Sequence, residues 1–429
     1  MTRHDSSESS RRPLKVAMIS HSDTLGGASV VTYRLMKALR AEGVDARMLV
    51  YSRFTDDPYV RQIGSAGSRG VRFAMERMHI MCANGFRRED LFKVSTAETG
   101  FNLSRDSWVR QADVIFLAWI NQGLLSLADI ASFGRLGKPI VWTMHDMWCL
   151  TGICHHSLGC QRYKDNCGCC PLLGSKRAND LSSRVWSRKK RLYESVPLTF
   201  VAVSRWLADR CAESSLLGHH DVHVIPNAFP VDSFATEPKG ELTLLKGDII
   251  DRDIILMGAA RLDDPIKGLP MAVEALNHIF DNHPEVAQRT LAIFFGELRS
   301  PTSLHGLRFP HYHTGRINDP NLLRDLYARS KVVVSSSLYE TLPGTLIEGQ
   351  ASGCLPVTFG RGGQADIVTH LKDGYIARFG DTRDLADGIL WALNRKADRK
   401  ELHESVRRRF SATAVAGRFT ALFHSLLTR

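Results

Sequence analysis

The sequence predicts an α/β protein with two parallel sheets, each covered by helices, facing one another across a central cleft. Three observations predict it. Short apolar runs alternate with segments of helical period from residue 14 to about residue 410, the pattern of repeated βαβ units. The alternation lapses once, at PVDSFATEPKGELTLLKGD (230–248), and then restarts. A chain of 429 residues with 44% hydrophobic residues can also bury two cores without a staple.

The first half opens with the strand LKVAMIS (14–20), the turn HSDTLGG and the helical ASVVTYRLMKALRAEG, which Gly43 closes. VDARMLVY, DVIFLAW (113–119), KPIVWTMH (138–145) and LTFVAVS (198–204) read as further strands. In the second half DIILMGAARL is a strand, KGLPMAVEALNHIF a helix and RTLAIFFG a strand. HYHTGRI is extended, NLLRDLYARS helical, and KVVVSSS and CLPVTFG flank one more turn and helix. The expected organisation is a disordered tail at 1–13, a first Rossmann-like domain at 14–230 with a Cys-rich loop at 149–171, and a linker at 231–252. A second Rossmann-like domain occupies 253–410, and a helix at 411–429 packs back on the first.

Composition narrows the function. The polar opening MTRHDSSESSRRPLK has no apolar stretch of signal-peptide type, and no run is long enough to span a bilayer. A cytoplasmic protein is therefore expected. A formal net charge of +11 suits phosphate-rich ligands or an anionic surface. The stretches at 68–88 and 175–195 mix cations with apolar residues, as a face lying on an anionic inner leaflet would, or as solvated helices do. Nucleic acid is not expected, because no RNA-binding signature accompanies the charge.

The chemistry concentrates in YETLPGTLIEGQASG (339–353). Leu342, Pro343, Gly344 and Thr345 begin a helix, where free N–H groups and the positive dipole end favour an anion. Pro343 suits the first helical position. Glu340 precedes the helix and Glu348 lies inside it; both are either solvated acids or ligand-binding groups. Arg261 and Lys267, in AARLDDPIKG, follow the first strand of this half and suit a diphosphate leaving group. Gly26 and Gly27 allow backbone N–H groups to approach a phosphate, although tight helix–strand packing explains such a pair as well. The dinucleotide fingerprint GxGxxG is absent at this turn.

A second constellation is CHHSLGCQRYKDNCGCC, where Cys154, Cys160, Cys167 and Cys170 stand at x5, x6 and x2 spacing. Four thiolates in one loop can close a tetrahedral structural zinc site; disulfides or redox sensing are the alternatives. Cys82, Cys149, Cys169, Cys211 and Cys354 read as ordinary thiols.

Taken together, the GGA turn, VWTMHDMW, IPNAF, GAARLDDPIKG and SLYETLPGTLIEGQASGCLPV resemble glycosyltransferase family 4, with its GT-B fold. Within that family the likeness is to bacterial enzymes of colanic acid, capsule and related exopolysaccharides, and it extends from about 14 to 425. Glu340 and Glu348 match the family's E-x7-E motif. The resemblance implies retaining hexosyl transfer from a UDP- or GDP-sugar without a catalytic metal. It implies that Arg261 and Lys267 hold the diphosphate, joined by Gly26, Gly27 and the Leu342–Thr345 backbone. Glu348 would bind the ribose, Glu340 the donor sugar, and the base would stack near Gly315, Arg316 and Ile317. His145 matches the family's sugar-binding histidine. The acceptor would be a lipid-linked oligosaccharide at the inner face of the plasma membrane. Where the family commonly has Gly-Phe-Gly after the first glutamate, this chain has Thr-Leu-Pro-Gly, so the likeness does not extend to the sugar's identity. A nucleotide-sugar epimerase and a non-catalytic sugar-nucleotide or membrane-binding module are the competing readings.

Overall fold

The computed structural model describes residues 12–239 and 252–428. The polar tail up to residue 11 and the middle of the expected linker, 240–251, lie outside the described residues. The first sheet comprises β1 (Lys15–Ser22), β2 (Asp45–Ser52), β3 (Val60–Gln62), β4 (Val114–Leu117), β5 (Ile140–Met144), β6 (Leu198–Ala202) and β7 (Val222–Val224). The second comprises β8 (Asp253–Arg261), β9 (Thr290–Glu297), β10 (His311–His313), β11 (Ser330–Ser335), β12 (Leu355–Phe359) and β13 (Tyr375–Ala377). Their orders are β3-β2-β1-β4-β5-β6-β7 and β10-β9-β8-β11-β12-β13, and every pairing between these strands is parallel. This is the GT-B arrangement of two Rossmann-like sheets about a central cleft.

The central strands are legible because a parallel strand is buried on both faces and becomes a continuous apolar run. All of β5 and all of β12 are buried. The edge strands β3, β7 and β13 have three residues each, too few to display a period, and they lie outside the predicted strands. Strand order reverses between β1 and β4, and again between β8 and β11. At such switch points the loops after adjacent strands diverge and open a crevice.

The chain crosses between the halves twice, and the two crossings lie side by side. The Phe229 N–H donates to the Phe410 carbonyl at 2.9 Å, and Phe229 pairs with Ser411 in a parallel bridge. Ser411 then caps the helix Ala412–Leu427 through the Ala414 N–H. That helix returns to the first sheet, where the Phe419 and Phe423 rings stand edge-on to Phe116 of β4 at 5.5 and 6.4 Å.

One expectation about charge is corrected. The segment 175–195 does not offer all its cations to a surface. Lys189, in the helix Leu181–Ser195, is fully buried; its Nζ donates to the Trp148 and Thr151 carbonyls and lies 3.2 Å from the Trp148 ring centroid. Val185, Lys189, Leu192 and Tyr193 recur at helical spacing and form its buried stripe, so the helical period overrides the local charge. Arg188 is engaged by Glu98, which leaves Arg184, Lys190 and Arg191 exposed without such burial.

The returning helix should be part of the first core. Phe419→Ala removes a ring that is 1% exposed, a loss of about 3–5 kcal/mol for a Phe→Ala truncation in a core. Thermal or urea unfolding should show that loss, whereas Arg418→Ala on the exposed side should stay near wild type.

Candidate active site

Loops from both switch points line one cavity of about 710 Å³. From the first sheet come His21 at the end of β1, the Leu25–Val31 turn and helix start, Arg34, Trp119 and Gln122 after β4, and His145 and Asp146 after β5. From the second half come Glu340, Thr341, Leu342, Gly344 and Glu348. Of the residues expected to form a site, the cavity therefore gathers Gly26, Gly27, His145, Glu340, Leu342, Gly344 and Glu348.

Two helix N-termini meet there without a side-chain cap. The helix Gly27–Ala41 begins after Gly26, whose φ of +90° favours glycine. A Cβ at Gly26 or Gly27 would meet no atom within 4 Å, so the space beside this backbone is open. The helix Gly344–Ala351 begins after Pro343, which is the N-cap rather than the first helical residue. A Cβ on Gly344 would come within 2.9 Å of the Phe229 ring, so this glycine permits close approach of the two halves.

Lys267 reaches the site because the loops after β8 and β11 are stitched together. The Leu338 N–H donates to the Ile266 carbonyl at 2.8 Å, and the Ser336 hydroxyl to the Lys267 carbonyl at 3.0 Å. Gly268 has φ +65°, and a Cβ there would stand 2.2 Å from the Ser336 carbonyl oxygen. This packing sets the Lys267 ammonium against Glu340 Oε1 as an ion pair. Arg261 is turned elsewhere: its Nη2 pairs with Asp264 at 2.9 Å and its Nε lies 3.6 Å from Asp263. Arg261, Lys267, Pro343, Thr345, Gly315, Arg316 and Ile317 do not line the cavity itself. Gly315 accepts the Gly296 N–H at 2.8 Å, and Ile317 packs against the core.

Glu348 accepts from the Tyr327 hydroxyl at 3.3 Å. Burial raises its pKa, opposed by Arg34 across the cavity and by the tyrosine. Burial likewise lowers the pKa of Arg34, against the pull of Glu348. His145 sits at the end of β5, its carbonyl accepting from the Thr341 hydroxyl of the other half at 2.9 Å. Burial pushes its imidazole down to about 4 despite Asp146 and Asn227, and its Nδ1 has no partner. His21, stacked on Tyr51 and edge-on to Trp119, is likewise lowered to about 4 by burial. Asp146 accepts from Trp119 Nε1 at 2.9 Å, His155 Nδ1 at 2.7 Å and the Trp148 N–H at 2.8 Å. Burial disfavours its charge, but His155, His156 and the Trp148 N–H prevail and hold it at about 2.

Arg34, His21, Trp119, Gln122 and His156 are the lining residues that sequence reasoning missed. Asp146 and Asn227 stood inside quoted motifs without a role. His156 belongs to the Cys-rich loop, which also crosses the cleft: Ser157 Oγ and the Gly159 N–H meet the Tyr339 hydroxyl at 3.2 and 3.3 Å. All nine cysteines are free. Among the described residues no group of three or more His, Cys, Asp or Glu stands arranged to hold a metal ion, and no helix is long and apolar enough to cross a membrane.

Two family descriptions fit this architecture. Residues 25–233 match Glycosyltransferase Family 4, and residues 246–409 match Glycosyl transferases group 1. The two halves of the chain thus match glycosyltransferase families one after the other, on a GT-B fold. A relative from Escherichia coli (strain K12), named "Putative colanic acid biosynthesis glycosyl transferase WcaC", is 30% identical over 122 residues. That stretch is 27% of this chain and 29% of the relative. Among solved structures, Anabaena HepE in complex with UDP and glucose aligns with a TM-score of 0.62 at 14% identity, over 96% of this chain and 100% of HepE. Sucrose-phosphate synthase from Thermosynechococcus elongatus aligns with a TM-score of 0.62 at 17% identity, over 97% and 99% of the two chains. At these identities the structural likeness establishes the fold.

The buried histidines make stability depend on pH. His21 and His145 have pKa values lowered from 6.5 to about 4, so the unfolded chain binds more protons between those values. Their stabilising effect is complete above pH 6.5 and is lost as pH falls to about 4. The thermal midpoint should fall across that window. His145→Gln should flatten the slope, on the order of 1–3 kcal/mol over the window. An unchanged slope would place the titrating groups elsewhere.

Proposed function

We propose that this glycosyltransferase moves a hexosyl group, with retention, from a nucleotide-diphosphate sugar to a lipid-linked oligosaccharide in surface polysaccharide assembly. The observation that carries the reading is one cavity in which Gly26, Gly27 and His145 face Glu340 and Glu348, with Lys267 paired to Glu340 at its edge. Two uncapped helix N-termini and one lysine suit a diphosphate. HepE in complex with UDP and glucose supports a uridine donor over a guanosine one.

In this reading the diphosphate takes Lys267 from Glu340, and Glu340, so released, accepts hydrogen bonds from the donor sugar. Arg261 joins the diphosphate by leaving Asp263 and Asp264. Glu348 accepts from the ribose hydroxyls, with Arg34 opposite to keep it ionised. Neutral His145 offers its unpartnered ring nitrogen to the sugar. Leu342 to Thr345 supply backbone donors, and Gly315, Arg316 and Ile317 flank the base. The chemistry needs no metal: the leaving diphosphate is neutralised by side chains and helix ends.

The acceptor side of the reading rests on the helix Ala66–Ala83. Val71, Met75 and Met78 recur along one side of it, and each is more than half exposed, as are Phe86 and Phe92 just beyond. Arg87, Arg88 and Lys93 stand among them, also exposed. An apolar stripe flanked by cations suits the surface of an anionic bilayer, where a polyprenyl-type acceptor resides. The enzyme would then work in the cytoplasm, peripheral at the inner face of the plasma membrane.

Kinetics separate the roles. Lys267→Ala removes a charge that matters most as the diphosphate leaves, so kcat should fall about 10²–10³-fold with a smaller change in KM. Glu348→Gln touches a ribose that does not react, so it should weaken donor binding about tenfold and leave kcat near wild type. If neither variant changes turnover or donor affinity, the cavity is not the donor site.

Vesicle sedimentation tests the acceptor side. Binding to anionic vesicles should decline as salt rises, and Met75→Glu with Met78→Glu should abolish it without unfolding the protein. Equal sedimentation of wild type and variant would sink the membrane reading.

A further inference from the structure

The groups assigned to the nucleotide-sugar leave part of the cavity wall unused. His21, Trp119, Gln122 and Asp146 line it too. His21 stands at the end of β1 and Trp119 just past the end of β4, where the order of the first sheet reverses. Backbone bonds continue the pairing of these strands: the Ala118 N–H donates to the Ile19 carbonyl and the His21 N–H to the Trp119 carbonyl, each at 3.0 Å. Trp119 is therefore carried on sheet backbone, not on a free loop.

Its indole is fixed from several sides. Nε1 donates to Asp146 at 2.9 Å, the His21 ring meets it edge-on at 5.3 Å, and the His155 ring lies 5.4 Å away at an angle of 32°. Behind them His155 bridges Asp146 at 2.7 Å and the Ser95 hydroxyl at 3.0 Å. An aromatic ring that lines a cavity and cannot turn offers apolar surface of fixed position. A pyranose matches it, since its C–H groups form an apolar face and its hydroxyls project around the edge.

Gln122 supplies the polar partner. It adopts φ +59°, a left-handed conformation that a glutamine enters at a cost. The loop enforces it. The Leu125 N–H donates to the Ile120 carbonyl at 3.1 Å and the Phe101 N–H to the Leu124 carbonyl at 2.9 Å. A Cβ on Gly123 would stand 3.0 Å from the Phe73 nitrogen, so the loop leans on the helix Ala66–Ala83. The Gln122 amide, held in the cavity, has no hydrogen-bond partner among the described residues. Its donor and acceptor ends suit neighbouring hydroxyls.

The charges disfavour one class of acceptor. Asp146 receives three donors, from Trp119, His155 and Trp148. A carboxylate offers about four lone-pair sites, so one more donor can be received. The cations of the cleft stand elsewhere, Lys267 against Glu340 and Arg34 opposite Glu348. Burial lowers the pKa of His21 and His156, which leaves both uncharged at neutral pH. A phosphate arriving beside Trp119 would face a carboxylate and neutral imidazoles, whereas a hydroxyl would find an acceptor.

We infer that Trp119, Gln122 and Asp146 form a subsite for one neutral pyranose of the acceptor. Its C–H face lies on Trp119, two of its hydroxyls meet the Gln122 amide, and another donates to Asp146. The inference rests on the transferase reading of the cavity and narrows it: the enzyme lengthens an existing glycan and does not load a first sugar onto a lipid phosphate.

Saturation-transfer NMR on the full chain tests this, with UDP present to fill the donor side. The probes are the methyl glycosides of glucose, galactose, mannose, rhamnose and N-acetylglucosamine, with octyl phosphate as the anionic competitor. At least one glycoside should bind, with its strongest transfer at ring C–H protons, and octyl phosphate should not displace it. Gln122→Gly removes the amide and relieves the left-handed φ, so it should fold as well as wild type. It should nevertheless weaken the glycoside about three- to tenfold. Trp119→Ala should weaken it about tenfold, and Trp119→Phe should recover part of the loss. The absence of any glycoside signal would overturn the subsite. So would a signal indifferent to Gln122→Gly and Trp119→Ala, or displacement by octyl phosphate. UDP binding, measured separately by calorimetry, keeps the two readings apart. If the wild type fails to bind UDP, the donor reading falls, while a glycoside signal that depends on Gln122 still upholds the subsite.

Discussion

The direction of the strands is the constraint from which the rest follows. In an all-parallel sheet every strand enters from one edge and leaves at the other, so the loops after the strands collect on a single side. Here two such sheets meet at those sides. The contacts that join them are backbone-close: the Thr341 hydroxyl on the His145 carbonyl, and the Phe229 ring over the Gly344 backbone. Because the halves meet through loops and helix starts, the groups brought face to face are main-chain donors and the few side chains at strand ends. Residues from opposite ends of the chain can therefore form one cavity.

The site's electrostatics follow from that closeness. Excluding water keeps His21 and His145 neutral and leaves Glu348 leaning on Arg34, while Asp146 stays ionised because three donors converge on it. The cleft thus holds its charges as pairs, Lys267 with Glu340 and Arg34 opposite Glu348. An anionic ligand entering it exchanges partners instead of adding uncompensated charge, which limits the desolvation cost of binding.

The central strands were legible because burial on both faces writes itself as an unbroken apolar run. The E-x7-E spacing was legible too, since a turn followed by one helix carries both acids to one cavity. What could not be read were encounters between distant segments. Nothing local to Arg34 announces that it faces Glu348, and the pairing of Lys267 with Glu340 spans 73 positions. Two contacts that went unread had signals that were available. The two aspartates following Arg261 in RLDD offered it partners close at hand. The Val185–Lys189–Leu192 spacing put that lysine on the apolar stripe of its helix. In both cases local charge was weighed without its nearest geometry.

The helix Ala412–Leu427 bears on how the protein is made. It covers Phe116 in the middle of the first sheet, yet it is encoded after the whole of the second. During synthesis the first sheet emerges with that face uncovered and stays so while some 160 residues, from β8 to Phe410, are still being translated, roughly 8–30 s at ordinary elongation rates. Strictly domain-by-domain folding would leave that face of the first half uncovered. The first half waits as an incompletely covered sheet, exposed to chaperones, until a segment made much later arrives.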